Sequence, residues 1–312
     1  MYILKTDIQT AGGCLQTCTG LRSGIEAAIH ACAEIWQDQS TECLLQVDTD
    51  NAFNRLNHNV ALHNIKQICP AIHRFLQNHY QEPAKLTFSD ETQHDSMYSE
   101  EGCAQGDPAA MAFHALGTKP LRDSLAESVD QEHCKQSWFA DDASAAGKLR
   151  TVRYWWEKLI ILSPKYGYFP KPSKTVLIVK DLALKNLAKN MFAGTGITID
   201  CQGERHLGAA IGNEEFKNQY FSKKVAKWVH DIKDLLSIAA DEPQVAYSAF
   251  TKSICHRWTF VQRTVPQTGH LFPMEEVIKD VFITPMLGRQ LPWKEKFYHY
   301  LFDTAVLGLQ IL

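Results

Sequence analysis

Three aspartates carry the chemistry that this sequence offers. Asp48 closes the apolar run Cys43-Leu-Leu-Gln-Val47, and Asp141-Asp142 follow Trp138-Phe-Ala140 and precede a small-residue run from Ala143. An apolar strand that stops on an aspartate exposes a carboxylate at a sheet edge, and a hairpin tip places two more. Gathered together, such groups hold hard divalent cations. Two Mg²⁺ ions roughly 3.5–4 Å apart stabilise the attacking and leaving oxygens of a phosphoryl displacement. Mg²⁺ completes its shell with water and substrate phosphate, so two or three aspartates are a sufficient ligand set. Each piece alone has a plainer reading. Asp-Asp forms turns by bonding its own backbone, and an aspartate after a strand caps or is solvated.

The elements that must position these groups alternate between helix and strand. Ser23 to about Asp38 reads as a helix, with Ser23 as N-cap and Glu26 completing a capping box. Cys43–Val47 is a short strand. Helices are predicted from Asn57 to Ile68 and from Pro70 to Tyr80, and a strand pair over Ala84–Ser89 and Ser96–Ser99. Another helix is predicted to start at Asp107-Pro108, where aspartate suits the cap and proline the first turn. A hairpin around Asp141-Asp142, a helix over Thr151–Leu162, a β-branched strand over Lys174–Val179 and a helical stretch from Glu214 onward complete the pattern. The order fits an α+β fold with an antiparallel sheet of the split βαβ type.

Composition bounds the class. With 312 residues, 45% of them hydrophobic, the chain has enough apolar material for one large core or two smaller ones. No run reaches the roughly 18 apolar residues of a transmembrane helix, and Met1-Tyr-Ile-Leu-Lys-Thr-Asp7 lacks a signal-peptide pattern. The nine cysteines have no framework spacing, so reduced thiols in an intracellular protein, nuclear or cytoplasmic and not secreted, are expected. Cys14 with Cys18, or His58 with His63, has a ligand-like gap, but no second close cysteine pair exists and no structural zinc is expected. The net charge of −3 averages two unlike halves. Residues 1–142 hold 9 Lys and Arg against 20 Asp and Glu, a net of −11, while residues 143–312 are at +8. Such a split suits a cation-binding half joined to a polyanion-binding half, although a dipolar surface without function reads the same way.

In order along the chain, the sequence resembles the reverse-transcriptase family, most closely that of non-LTR retrotransposons. Asp48-Thr-Asp-Asn-Ala-Phe53 looks like the first catalytic motif, Glu101-Gly-Cys-Ala-Gln-Gly-Asp-Pro108 the second, and Phe139-Ala-Asp-Asp142 the third. Gly167-Tyr-Phe-Pro-Lys-Pro-Ser-Lys174-Thr is similar to the fourth and His206-Leu-Gly-Ala-Ala-Ile-Gly212 to the fifth. Gly13-Cys-Leu-Gln-Thr-Cys-Thr-Gly-Leu-Arg22 resembles the end of the fingers region. Ala246-Tyr-Ser-Ala-Phe250, Trp258 and Arg263-Thr264 resemble the segment after the palm.

The resemblance implies a palm over residues 42–212 with an insertion near 60–100, a fingers remnant over 1–41 and a helical thumb over 213–312. It implies an RNA template, a DNA primer and deoxynucleoside triphosphates as partners, with two Mg²⁺ ions, replaceable by Mn²⁺, as cofactors. Asp48 and Asp141 would hold the metals, with Asp142 in support. Phe53 would lie under the sugar and leave no room for a 2′-hydroxyl; core packing is its other reading. Gln105 and Gly106 would border nucleotide and template. Lys174 would support charge or donate a proton at the leaving pyrophosphate, with Lys171 as competitor. Lys223, Lys224 and Lys227, with Lys217 and Lys233, would contact successive phosphates from one helix, or form a solvated face. The family's complete enzymes begin well upstream of its first motif, so N-terminal truncation is expected, and an inactive fragment is the alternative. A nucleotide cyclase shares the paired carboxylates but would not carry Gln105-Gly-Asp-Pro108 or Phe53.

Overall fold

The computed structural model describes residues 4–89, 94–104, 106–264 and 272–283. It divides into two compact units, Met1–Leu207 and Gly208–Leu312.

The first unit contains α1 (Lys5–Gly12), α2 (Gly24–Gln37), β1 (Cys43–Val47), α3 (Ala52–Arg55), α4 (His58–Ile68) and α5 (Pro70–Tyr80). A ribbon follows, β2 (Ala84–Ser89) and β3 (His94–Ser99), then α6 (Ala110–Gly117) and α7 (Lys119–Ser128). The hairpin β4 (Cys134–Phe139) and β5 (Asp142–Gly147), α8 (Leu149–Leu162), β6 (Val176–Val179), α9 (Leu182–Met191), β7 (Thr198–Asp200) and β8 (Gly203–His206) complete it. The main sheet runs β4-β5-β1-β6-β7, antiparallel except for the parallel β6–β7 pair.

β1 sits in the middle of that sheet, which is why its sequence is apolar rather than alternating. Leu45 and Val47 face a core shared with Trp138, Leu177 and Val179 and capped by Trp155, Trp156 and Leu159 of α8. On the other face Cys32 of α2 touches Ser144 of β5, Sγ to Oγ 3.3 Å. Within the apolar core a polar node is bonded at both ends of its amide. The Gln136 Oε1 accepts from the indole nitrogens of Trp138 and Trp155, both at 3.1 Å, and its Nε2 donates to the Arg122 carbonyl at 2.8 Å. Burying a large apolar side chain of this kind contributes about 2–3 kcal/mol. A second cluster joins α4, α5 and α6 through Ile65, Ile72, Leu76 and Phe113.

Several expectations are corrected in detail. Ser23 does not cap α2: its φ of 55° is left-handed, whereas a capping side chain needs an extended backbone, and no side-chain cap bond forms. At α4 the cap is real, with Asn57 Oδ1 accepting from the Val60 amide at 2.9 Å. α6 starts at Ala110 and not at Asp107, because the Asp107 carbonyl and carboxylate take the Ala110 and Ala109 amides in a preceding turn. β3 begins at His94, earlier than Ser96. Lys174 lies in a 3₁₀ turn, Pro172–Lys174, ahead of β6.

The second unit starts with β9 (Ala209–Gly212) and the long α10 (Glu214–Asp241), followed by α11 (Pro243–Ala249), α12 (His256–Thr264) and α13 (Phe272–Glu276). Its core gathers Trp228, Ile232, Phe250, Trp258 and Ile278. No helix among the described residues is long and apolar enough to cross a membrane.

Candidate active site

The sheet register brings Asp48 and the hairpin aspartates together. β1 pairs antiparallel with β5, Val47 opposite Ala143. One step further puts Asp48 opposite Asp142, and the next puts Thr49 opposite Asp141. The Thr49 hydroxyl reaches the Asp141 carboxylate at 3.5 Å, as that register demands. In the hairpin Phe139 pairs with Asp142, so the turn is the two residues Ala140 and Asp141. Ala140 has φ 55°, the left-handed conformation that tight hairpins require and that costs a side-chain-bearing residue about 1–2 kcal/mol.

Electrostatics follow from this crowding. Desolvation, with the Asp48 charge adding to it, raises the Asp141 carboxyl above its ordinary range. Desolvation and then the Asp141 and Asp48 charges push Asp142 up to about 6, although one side of that residue is open to solvent. The buried Tyr168 phenol, which donates to the Asp141 carbonyl at 2.8 Å, is pushed well above its usual value by burial and by the same three carboxylates. These groups repel one another without a nearby cation to offset them all. Among the described residues Lys174 approaches, with its Nζ 3.7 Å from Asp48 Oδ1. Among the described residues no three acidic, His or Cys side chains close round one point. The donor chemistry nevertheless suits a hard divalent ion: three carboxylates, all oxygen, held near one strand end.

The loop after the first motif is clamped from both sides. Asp50 N donates to Phe169 O at 2.9 Å and Lys171 N to Asp48 O at 2.8 Å, so residues 48–50 run antiparallel to 169–171. Lys171 Nζ stands 3.7 Å from Asp50, not from Asp48. From the other side Cys103 N donates to Phe53 O at 2.6 Å and Gly102 N to Leu56 O at 2.9 Å. Gly102 and Gly167 make these approaches possible. A Cβ on Gly102 would lie 2.3 Å from the Asn54 backbone, and one on Gly167 1.8 Å from Arg55 O, both at positive φ.

Phe53 is partly buried and stacks on His114 of α6, centroids 4.6 Å apart and planes at 18°. His114 is 1% exposed, its ring nitrogens have no hydrogen-bond partner among the described residues, and burial pushes it down to about 3, so the imidazole is neutral. Gly106 has φ 90° and open space on its Cβ side. Gln105 lies outside the described residues. Asp107 is fixed by the Tyr80 hydroxyl and by His79 at 3.2 Å.

In the second unit Lys223 and Lys227 are exposed on one face of α10, four residues apart, and make no ion pair among the described residues. Lys224 is engaged differently: its Nζ donates to Gly208 O at 3.2 Å and sits 4.9 Å over the Tyr220 ring. Lys217 pairs with Glu214 at 2.9 Å, and Lys233 is exposed.

Sequence reasoning assigned no role to two residues that hold the hairpin tip, Gln16 and Tyr168. Gln16 is fully buried, and its amide accepts from Ala140 N and donates to Ala140 O, both at 2.9 Å. Nothing in its local sequence marks it, because the partner is 124 residues away.

The α+β unit, with an acidic hairpin beside the carboxylate-ended central strand, has a fold similar to that of a solved telomerase. The chain is similar to apo telomerase from Candida tropicalis, with a TM-score of 0.55 over 98% of this chain and 54% of that one, at 10% identity. The same telomerase truncated from its C-terminal domain aligns over 57% of this chain and 39% of that one, with a TM-score of 0.48 and 15% identity. Telomerase from Candida albicans in complex with a TWJ fragment of telomeric RNA gives 0.49 over 99% and 53%, at 10% identity. The first of these carries the likeness, which at this identity is one of fold. The chain spans about half the length of the telomerase it matches. No family model matches the chain, and no curated protein matches it.

Proposed function

We propose that this chain is the RNA-directed DNA polymerase part of a non-LTR retroelement, transferring a deoxynucleotidyl group to a primer 3′-hydroxyl. The observation that supports the reading is that β1 and the β4–β5 hairpin are neighbours in one sheet, which brings Asp48, just past the end of β1, towards Asp141 and Asp142, about ninety residues further along the chain. In the reaction the primer oxygen bonds to the α-phosphorus, the bond from that phosphorus to the bridging oxygen breaks, and pyrophosphate leaves.

Asp48, Asp141 and Asp142 would hold two Mg²⁺ ions, or Mn²⁺ in their place. Those ions would supply charge stabilisation at the attacking and leaving oxygens. The chain's own residues do the rest. Phe53, stacked on His114, would lie under the sugar and leave no room for a 2′-hydroxyl. Gly106 would lie beside nucleotide and template with Gln105. Lys174, whose Nζ is 3.7 Å from Asp48 Oδ1, would support charge or donate a proton at the departing pyrophosphate. Lys223 and Lys227, with Lys224 beside them, would grip the phosphates of the template–primer duplex.

Primer extension on an RNA template with purified chain, Mg²⁺ and deoxynucleotides tests the reading. Extension that Asp141→Ala abolishes supports it. A folded chain that incorporates nothing favours the inactive-fragment alternative.

A further inference from the structure

We infer that Gln16 is a positioning residue of the nucleotidyl-transfer site, acting through the Ala140–Asp141 turn to fix where the Asp141 carboxylate stands. This rests on the function proposed above.

Gln16 lies in the stretch that pairs with the outer edge of β4. Backbone bonds alone already hold that pairing: Trp138 N donates to Leu15 O at 2.9 Å and Thr17 N to Trp138 O at 3.0 Å. The Gln16 side chain is not needed for register. It instead reaches past the edge strand, fully buried, and engages Ala140 with both ends of its amide, the Oε1 also accepting from Cys18 N at 3.4 Å.

Ala140 is the left-handed residue of the hairpin, a position where glycine is the ordinary choice. A left-handed alanine persists only where surrounding structure over-determines it, and such strain collects at functional sites. Here the Gln16 amide does the over-determining. From the other side the Tyr168 hydroxyl holds the Asp141 carbonyl at 2.8 Å. Both turn residues thus have their backbone fixed by side chains remote in sequence, and the carboxylate between them inherits that rigidity.

The substitution Gln16→Met keeps length and burial and removes both bonds to Ala140, with the longer one from Cys18 N. Titration calorimetry with Mn²⁺ alone, without nucleotide, is the primary readout, and primer-extension kinetics the second. Mn²⁺ binding should weaken about 10- to 100-fold, the range for removing a group that orients a metal ligand. kcat should fall by a similar factor while KM for the deoxynucleotide stays near the wild-type value. Adding Ala140→Gly, which adopts the turn without a clamp, should recover several-fold of the Mn²⁺ affinity; a merely structural glutamine would not be rescued at that position. Should Gln16→Met fail to fold, Gln16→Glu keeps the acceptor for Ala140 N, and an intermediate loss is expected.

Wild-type Mn²⁺ affinity in either variant overturns the inference, as does failure of Ala140→Gly to restore binding. Absence of Mn²⁺ binding by the wild type overturns it as well. If the wild type binds Mn²⁺ but extends no primer, the polymerase reading fails, while the Mn²⁺ titrations still decide the role of Gln16.

Discussion

Replacing His114 by leucine tests how the neutral imidazole behind Phe53 is maintained. Burial in α6, with the Arg122 charge as the second cause, lowers this histidine from 6.5 to about 3, and both ring nitrogens are unpartnered. The folded pKa is depressed, so between the two values the unfolded chain binds a proton that the folded chain refuses. Stability is therefore full above pH 6.5 and falls as pH drops toward 3. Each pH unit inside that window costs about 1.4 kcal/mol per proton. From pH 7 to pH 4.5 the loss from this residue is about 2.5 kcal/mol. Asp142, raised to about 6, works in the opposite direction, and His206, lowered to about 4, in the same one. Comparing wild type with His114→Leu cancels both. Urea denaturation read by tryptophan fluorescence should show the wild type losing about 2.5 kcal/mol more than the variant between those pH values. Parallel pH dependence of the two proteins would refute the buried, neutral imidazole.

Other expectations follow from particular contacts. Gly167→Ala, whose Cβ would meet the Arg55 carbonyl at 1.8 Å, should lower the urea-derived stability by at least about 2 kcal/mol or prevent folding. Phe53→Ala should raise the ratio of ribonucleotide to deoxynucleotide incorporation by roughly 10- to 200-fold in single-nucleotide extension, the span of one apolar pocket contact. Lys223→Ala and Lys227→Ala should each reduce the slope of log affinity against log salt by about 1 on a template–primer duplex, with equal effect across sequences. Trp155→Ala should cost about 3–5 kcal/mol, because its ring fills the core beneath β1 and Gln136 Oε1 loses one of its two indole donors.

The sequence by itself determined what depends on short spacing. Periodicity placed β1, α4, α5 and the acidic hairpin within a residue or two, because burial on one or both faces of an element dictates the spacing of its apolar residues. Residue type at strand end and hairpin tip likewise singled out Asp48, Asp141 and Asp142, which the sheet register brings to neighbouring positions. Where a local signal competed with its surroundings it misled: Ser23 looks like a cap, yet the chain enters α2 through a left-handed residue. Tertiary structure alone decided what bridges long separations. It paired Gln16 with Ala140 and Tyr168 with Asp141, set His114 under Phe53, and turned Lys224 to the Gly208 carbonyl while leaving Lys223 exposed. A hydrogen bond or ring stack between remote residues leaves no periodicity in either partner's neighbourhood. The acidic residues are thus legible in the chain, whereas the groups that hold them in place emerge only once the sheet has brought β1 and the hairpin side by side.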